Sequence, residues 1–74
     1  MKITYDSEGD VLYIRLRDAP PADSVDIEEG VTAELDGDGH LVALEVLDAS
    51  KRLTPEELTS VSYENLLLAA ADLP

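Results

Sequence analysis

Two carboxylate-rich turn stretches, Asp6-Ser7-Glu8-Gly9-Asp10 and Asp36-Gly37-Asp38-Gly39, each lie between runs in which apolar and polar residues alternate. Alternation with a period of two puts one class of side chain on each face of a strand, and Asp and Gly are the residues with which a backbone reverses most easily. Each pair of runs is therefore expected as a β-hairpin, with Gly9 and the Gly37/Gly39 pair supplying backbone at positive φ. The expected fold class is α+β: a small, mainly antiparallel four-stranded sheet of hairpins with a C-terminal helical segment.

Residues 2–6 form the first expected strand, with Ile3 and Tyr5 on one face, and residues 11–17 the second. In the second, Leu12, Ile14 and Leu16 oppose Val11, Tyr13, Arg15 and Arg17. Pro20 and Pro21 cannot donate to a ladder, so residues 18–23 are a loop. Residues 24–29 read as a short extended edge piece, Gly30 as a break and residues 31–35 as strand three. Residues 40–47 are strand four, with Val42, Leu44 and Val46 on one face and Leu41, Ala43 and Leu47 on the other. A strand apolar on both faces is expected in the middle of a sheet, covered on both sides.

Helix signals begin at Thr54. It suits an N-cap, Pro55 suits the first helical position, and Glu57 completes a capping box, which predicts a helix over residues 55–60. The Leu- and Ala-rich residues 62–71 suggest a second helix, with a final strand starting at Val61 as its competitor. The expected core is Ile3, Leu12, Ile14, Leu16, Val31, Leu35, Val42, Leu44, Val46, Leu53 and Leu58. The apolar stripe at residues 66–71 is expected on the sheet or against a second subunit.

At 74 residues the chain is one domain, residues 1–74, and a domain this small buries only about 60% of its unfolded surface. It has no Cys, so neither disulfides nor thiolate metal sites can reinforce it, and self-association, with a dimer favoured, is the reinforcement left. A net charge of −12, with Lys2, Arg15, Arg17, Lys51 and Arg52 as its only fixed cations, disfavours nucleic acids and anionic membranes as partners. Such a field steers a basic protein inward, or simply keeps the chain soluble. The first residues lack a signal-peptide h-region, and the longest apolar run is far below a membrane span, so the expected compartment is the cytoplasm.

No cofactor is implied. Asp36, Asp38 and Gly39 share residue types with a calcium loop, but Gly falls at the wrong position and Leu47 stands where the final Glu ligand belongs. His40 is the single imidazole, which excludes a paired-His metal site within one chain. Glu45 sits between Leu44 and Val46, where a carboxylate calls for a cation, and Arg15, Arg17, Lys51 and Arg52 are its candidate partners. Ser50, Lys51 and Arg52 could hold an anion or simply form a strand-to-helix connection. Tyr13, Glu45 and Ser50 together are the residues a small hydrolase would use, although a non-enzymatic role is favoured.

Residues 5–16, Gly30-Val31 and residues 35–53 resemble the small prokaryotic domain-of-unknown-function family 2283, through a "YD.E.D.LYI.L" opening and a "D..G...G.E.L.AS" segment. The resemblance covers residues 3–53, leaving 54–74 as an extension, and departs at Ala43, where members often carry Gly. It implies a small sheet with a helical element, and an antitoxin-like partnership with a basic toxin is one role it raises. The leading expectation is an acidic protein-interaction module, with a structural homo-oligomer lacking a dedicated partner as the alternative.

Overall fold

The computed structural model describes residues 1–66 and residue 71. Its elements are β1 (Lys2–Asp6), β2 (Val11–Arg15), β3 (Asp23–Glu28), β4 (Val31–Leu35), β5 (Leu41–Leu47), α1 (Ala49–Arg52) and α2 (Pro55–Thr59). The strands form one open antiparallel sheet in the order β1-β2-β5-β4-β3. The hairpins β1–β2 and β3–β4 thus flank β5, which takes the central place expected from its two apolar faces. No helix among the described residues is long and apolar enough to cross a membrane.

The sheet has five strands where four were expected. The extended edge piece is a full strand, β3, paired to β4 from Asp23 to Glu28 with an irregularity between Asp26 and Glu28. Its acidic residues lower its strand propensity, but an edge position tolerates them, because one side of an edge strand stays in water. The second expected strand stops at Arg15, two residues early. The amides of Leu16 and Arg17 both turn to the Val42 carbonyl, at 2.8 and 3.4 Å, where the pairing of β4 and β5 also shifts register. That irregularity lets the chain leave the ladder.

Both turn stretches close hairpins, although not all through the expected glycines. In the first turn it is Asp10 that takes positive φ (56°), while in the second it is Gly39 (82°); neither Gly9 nor Gly37 does. Asp tolerates this region because its short polar side chain finds local partners. Asp36 Oδ1 accepts from the amides of Asp38 and His40, both at 2.9 Å, which fixes the second turn.

Register makes the faces distinct. Ile3, Ile14, Leu44, Ala33 and Val25 stand in one row across all five strands, and Tyr5, Leu12, Val46, Val31 and Glu28 form a parallel row beside it. On the other face the rows are Thr4, Tyr13, Glu45, Thr32 and Asp26, and Lys2, Arg15, Ala43, Glu34 and Ser24.

The core is much smaller than expected. Among the described residues the buried apolar side chains are Ala33, Val42, Ala43 and Ala49. Of the expected core, Val42 is buried, Ile3 is exposed, and Leu12, Ile14, Leu16, Val31, Leu35, Leu44, Val46, Leu53 and Leu58 are half-buried. Helix length explains this. Helices of four and five residues rise only about 6 and 7.5 Å, whereas five strands span about 19 Å, so α1 and α2 cannot cover the face. The Thr54–Glu57 capping box is present and α2 ends at Thr59. Residues 61–66 are neither helix nor strand, so no second helix and no final strand starts there; the rest of that expected helix, 71 apart, lies outside the described residues.

Gly30 makes the β3–β4 turn at φ 82°, and a Cβ there would lie 2.7 Å from the Arg52 guanidinium. Gly30→Ala is expected to destabilise the fold by about 1–2 kcal/mol, the cost of left-handed backbone for an L-residue, with a further loss if Arg52 is displaced. Gly37→Ala, at a position with open space and ordinary φ, is the near-neutral reference. Urea unfolding of the two variants checks the difference.

Candidate functional site

The single turn α1 lies across the end of the sheet where β1 meets β2 and β3 meets β4, and its two ends are fastened separately. At its start, Asp10 acts as an acceptor three times over: from the Tyr5 hydroxyl at 2.7 Å, the Ser50 amide at 2.9 Å and the Ser50 hydroxyl at 2.7 Å. The Asp10 carbonyl also accepts from the Ala49 amide at 3.0 Å. The Ser50 bonds, then the Tyr5 bond, hold the Asp10 carboxyl below its ordinary value, and the Asp10 contact raises the Tyr5 phenol. At its end, Arg52 pairs with Glu28 at 3.1 Å and donates to the carbonyls of Leu47, at 3.3 Å, and Glu29. The guanidinium lies over Gly30, where a side chain would obstruct it.

Ser50 and Arg52 therefore serve the strand-to-helix connection: both are engaged with the chain's own turns. Asp10 is the member of this contact that the sequence places only in a turn. Its left-handed backbone aims the carboxylate 40 residues along the chain to Ser50, and no local pattern signals a partner that far away. Beside this staple, Tyr5 and Ser50 line a mainly apolar hollow of about 280 Å³ with Leu53, Pro55, Leu58 and Thr59.

On the opposite face, Tyr13 stands directly across from Glu45, and Thr32 flanks Glu45 from the other side. The Tyr13 hydroxyl reaches past β5 to donate to Glu34 Oε1 on β4. That bond, with desolvation, raises the Tyr13 phenol. A link between strands that are not neighbours must pass over β5, and the residue on its path is Ala43, fully buried between Arg15 and Glu34. A small side chain at 43 is thus a steric requirement.

The expected cations do not go to Glu45. Arg15 pairs with Asp18 at 3.2 Å, and Arg17 with Asp36 at 2.6 Å while donating to the Leu41 carbonyl at 3.1 Å. Both arginines pin the loop that carries the chain from β2 to β3, leaving Glu45 half-buried beside Tyr13 and Thr32 rather than enclosed. Lys51 is exposed. Tyr13 and Glu45 share one face, whereas Ser50 lies with Tyr5 on the other, so these three do not converge on one substrate atom.

Residues 2–50 match the profile of a family described as "Protein of unknown function (DUF2283)". The matched span holds all five strands and both partners of the Asp10–Ser50 contact, and stops before Arg52. No curated protein and no solved structure matches the chain.

The Asp36 carboxyl is held at about 2, first by Arg17 and then by the His40 amide, against an ordinary 3.8. A depressed carboxyl contributes stability that is complete above the unfolded value and is lost as pH falls through the folded one. Asp10 acts in the same direction. The raised phenols of Tyr5 and Tyr13 act oppositely: their contribution is complete below the ordinary 10.0 and is lost as pH rises above it. The midpoint of thermal unfolding is expected to fall between about pH 4 and pH 2, and Asp36→Asn to flatten that fall. Circular dichroism melts across pH measure it; an unaltered slope refutes the assignment.

Ala43→Leu is expected to cost about 1–3 kcal/mol by overpacking the space beneath the Tyr13–Glu34 link. Adding Tyr13→Ala should recover part of the loss, because the two side chains compete for the same space. Additive losses in urea unfolding refute the steric reading.

Proposed function

The chain belongs to the DUF2283 family, and from the surfaces described above we propose that it is a small, non-catalytic protein-interaction module that engages a basic protein partner. The observation that carries this reading is the polar face of the sheet. Asp26, Glu34 and Glu45 lie there within two adjacent rows, around Tyr13 and Thr32. The two cations of this face, Lys2 and Arg15, stand on β1 and β2, away from the carboxylates of β5, β4 and β3, and Arg15, Arg17 and Arg52 are each paired with another carboxylate. The acidic excess of this face therefore lies over β5, β4 and β3, in a chain of net charge −12.

A field of this kind favours a cationic surface by steering its approach and by penalising acidic competitors. Tyr13 adds an amphipathic ring of the sort that anchors interfaces, with the carboxylates around it as charged rim. An antitoxin that blankets the basic substrate groove of a toxin would use these features, and a partner of that kind is the favoured one. Binding of this type belongs in a compartment where such a partner is made, which for a chain with this sequence is the cytoplasm.

The test is capture from the native host's lysate on immobilised protein, followed by purification of the captured protein and titration of the pair. A basic partner is expected whose affinity falls at least roughly tenfold between about 0.1 and 1 M salt, as the Debye length shrinks from about 10 to 3 Å. Glu34→Gln with Glu45→Gln should slow its association. Affinity indifferent to salt and to both substitutions overturns the proposal.

A further inference from the structure

Three of the five fixed cations of this acidic chain meet at one corner of the sheet. Lys2 of β1 stands directly across from Arg15 of β2, and both line, with Met1, Arg17 and Asp18, a hollow of about 180 Å³ at the end of the two strands away from α1. Like charges opposite one another on neighbouring strands destabilise a sheet. The chain does little to relieve this pair. Lys2 makes no ion pair among the described residues, and the counter-charge of Arg15 is Asp18, whose side chain is wholly exposed and lies 3.2 Å away. An ion pair so open to water contributes little and exchanges readily. Both guanidiniums are nonetheless already oriented. Arg15 donates to the carbonyls of Arg17, at 3.2 Å, and Ala19, at 3.3 Å, and Arg17 donates to that of Leu41 at 3.1 Å while holding Asp36 at 2.6 Å. Among the described residues Nη1 of each guanidinium makes no hydrogen bond, so two fixed donors and the Lys2 ammonium face the hollow without a partner of their own.

We infer that this corner binds a phosphate group, either free or carried by a small molecule. Charge selects the ligand. With Arg17 matched by Asp36 and with Asp18 turned aside, Lys2 and Arg15 leave an excess of two positive charges, which a phosphate of charge near −2 neutralises and a single carboxylate does not. The planar fork of arginine matches the oxygens of a phosphate, and lysine adds a point charge beside it. Because backbone carbonyls already hold both guanidiniums, little side-chain freedom is lost on binding. The net charge of −12 does not forbid this, since exposed charges more than about 8 Å apart are largely screened at physiological ionic strength. Glu34, the next carboxylate in the Lys2–Arg15 row, stands two strands from Arg15, at about 4.8 Å per strand. Asp18 is the competitor for Arg15, and the ligand displaces it. The site lies apart from the acidic half of the polar face, so it does not rest on the basic-partner reading.

The test is an amide NMR titration of the full chain, at about 0.1 M sodium chloride, with inorganic phosphate and separately with glycerol phosphate. Saturable shifts are expected at Lys2, Arg15, Arg17 and Asp18. Tighter binding of the ester assigns an organic phosphate, and tighter binding of inorganic phosphate assigns the free ion. Lys2→Gln and Arg15→Gln should each weaken binding roughly tenfold, the worth of one charge-assisted contact. Asp18→Asn removes the competitor and should tighten binding, whereas a purely structural role for the cluster predicts a looser loop and no gain in affinity. Lys51→Gln removes an equal charge from an exposed position elsewhere and should leave binding unchanged. Circular dichroism reports whether each variant keeps its sheet. An unaltered spectrum at millimolar phosphate overturns the inference. So does a folded Lys2→Gln variant that binds as tightly as the unaltered chain, or binding that Lys51→Gln weakens to the same extent.

Discussion

Everything in this fold depends on both edges of β5 being occupied. Its seven residues pair with β2 on one side and β4 on the other, and without it the chain would hold two separate hairpins, each too small to be stable in water. The buried residues reflect this: Val42 and Ala43 are on β5, and Ala33 faces Leu44 on the neighbouring strand. The sequence provides for it by making the strand apolar on both faces, with Glu45 as the one charge, half-exposed on the polar side.

Pairing alone does not align the two flanking hairpins at their turns. That is the task of the staple through α1, with Asp10 fixing the β1–β2 turn to one end of the helical turn and Arg52 fixing the β3–β4 turn to the other. Backbone conformation and side-chain chemistry act together here. Asp10 must be left-handed to send its carboxylate to Ser50, and Gly30 must lack a side chain to accept the guanidinium. The family match begins with β1 and ends at Ser50, so the Asp10 half of the staple belongs to the shared domain while the Arg52 half lies past its boundary.

What could be read from the residues was what short-range physics determines. Period-two alternation placed β1, β2, β4 and β5, and Thr54, Pro55 and Glu57 placed the start of α2, because strand faces and helix caps are decided within a few residues. β3 was underestimated because Asp23, Asp26 and Glu28 carry weak strand propensity, and the edge position that excuses them is a property of the whole sheet. The positive φ moved from Gly9 to Asp10 for a similar reason: the energy that holds Asp10 there comes from Ser50, which is close in space and distant in sequence. Arg15, Arg17 and Arg52, expected as candidate partners of Glu45, pair instead with Asp18, Asp36 and Glu28, a choice that depends on where loops cross the sheet ends.

The thin core and the high charge have one physical origin. A sheet with short helices at one end can bury little of its own apolar surface, so a soluble monomeric form must carry charge elsewhere, and this chain puts its carboxylates on turns, the β3 edge and the polar face. That distribution keeps the aliphatic rows of β1, β2, β5 and β4 free of charge, with Glu28 of β3 ending one of them. The division is written into the alternation of β1, β2, β4 and β5, since a one-residue slip in any register would exchange the faces and place Glu34 or Glu45 among Leu12, Ile14 and Leu44.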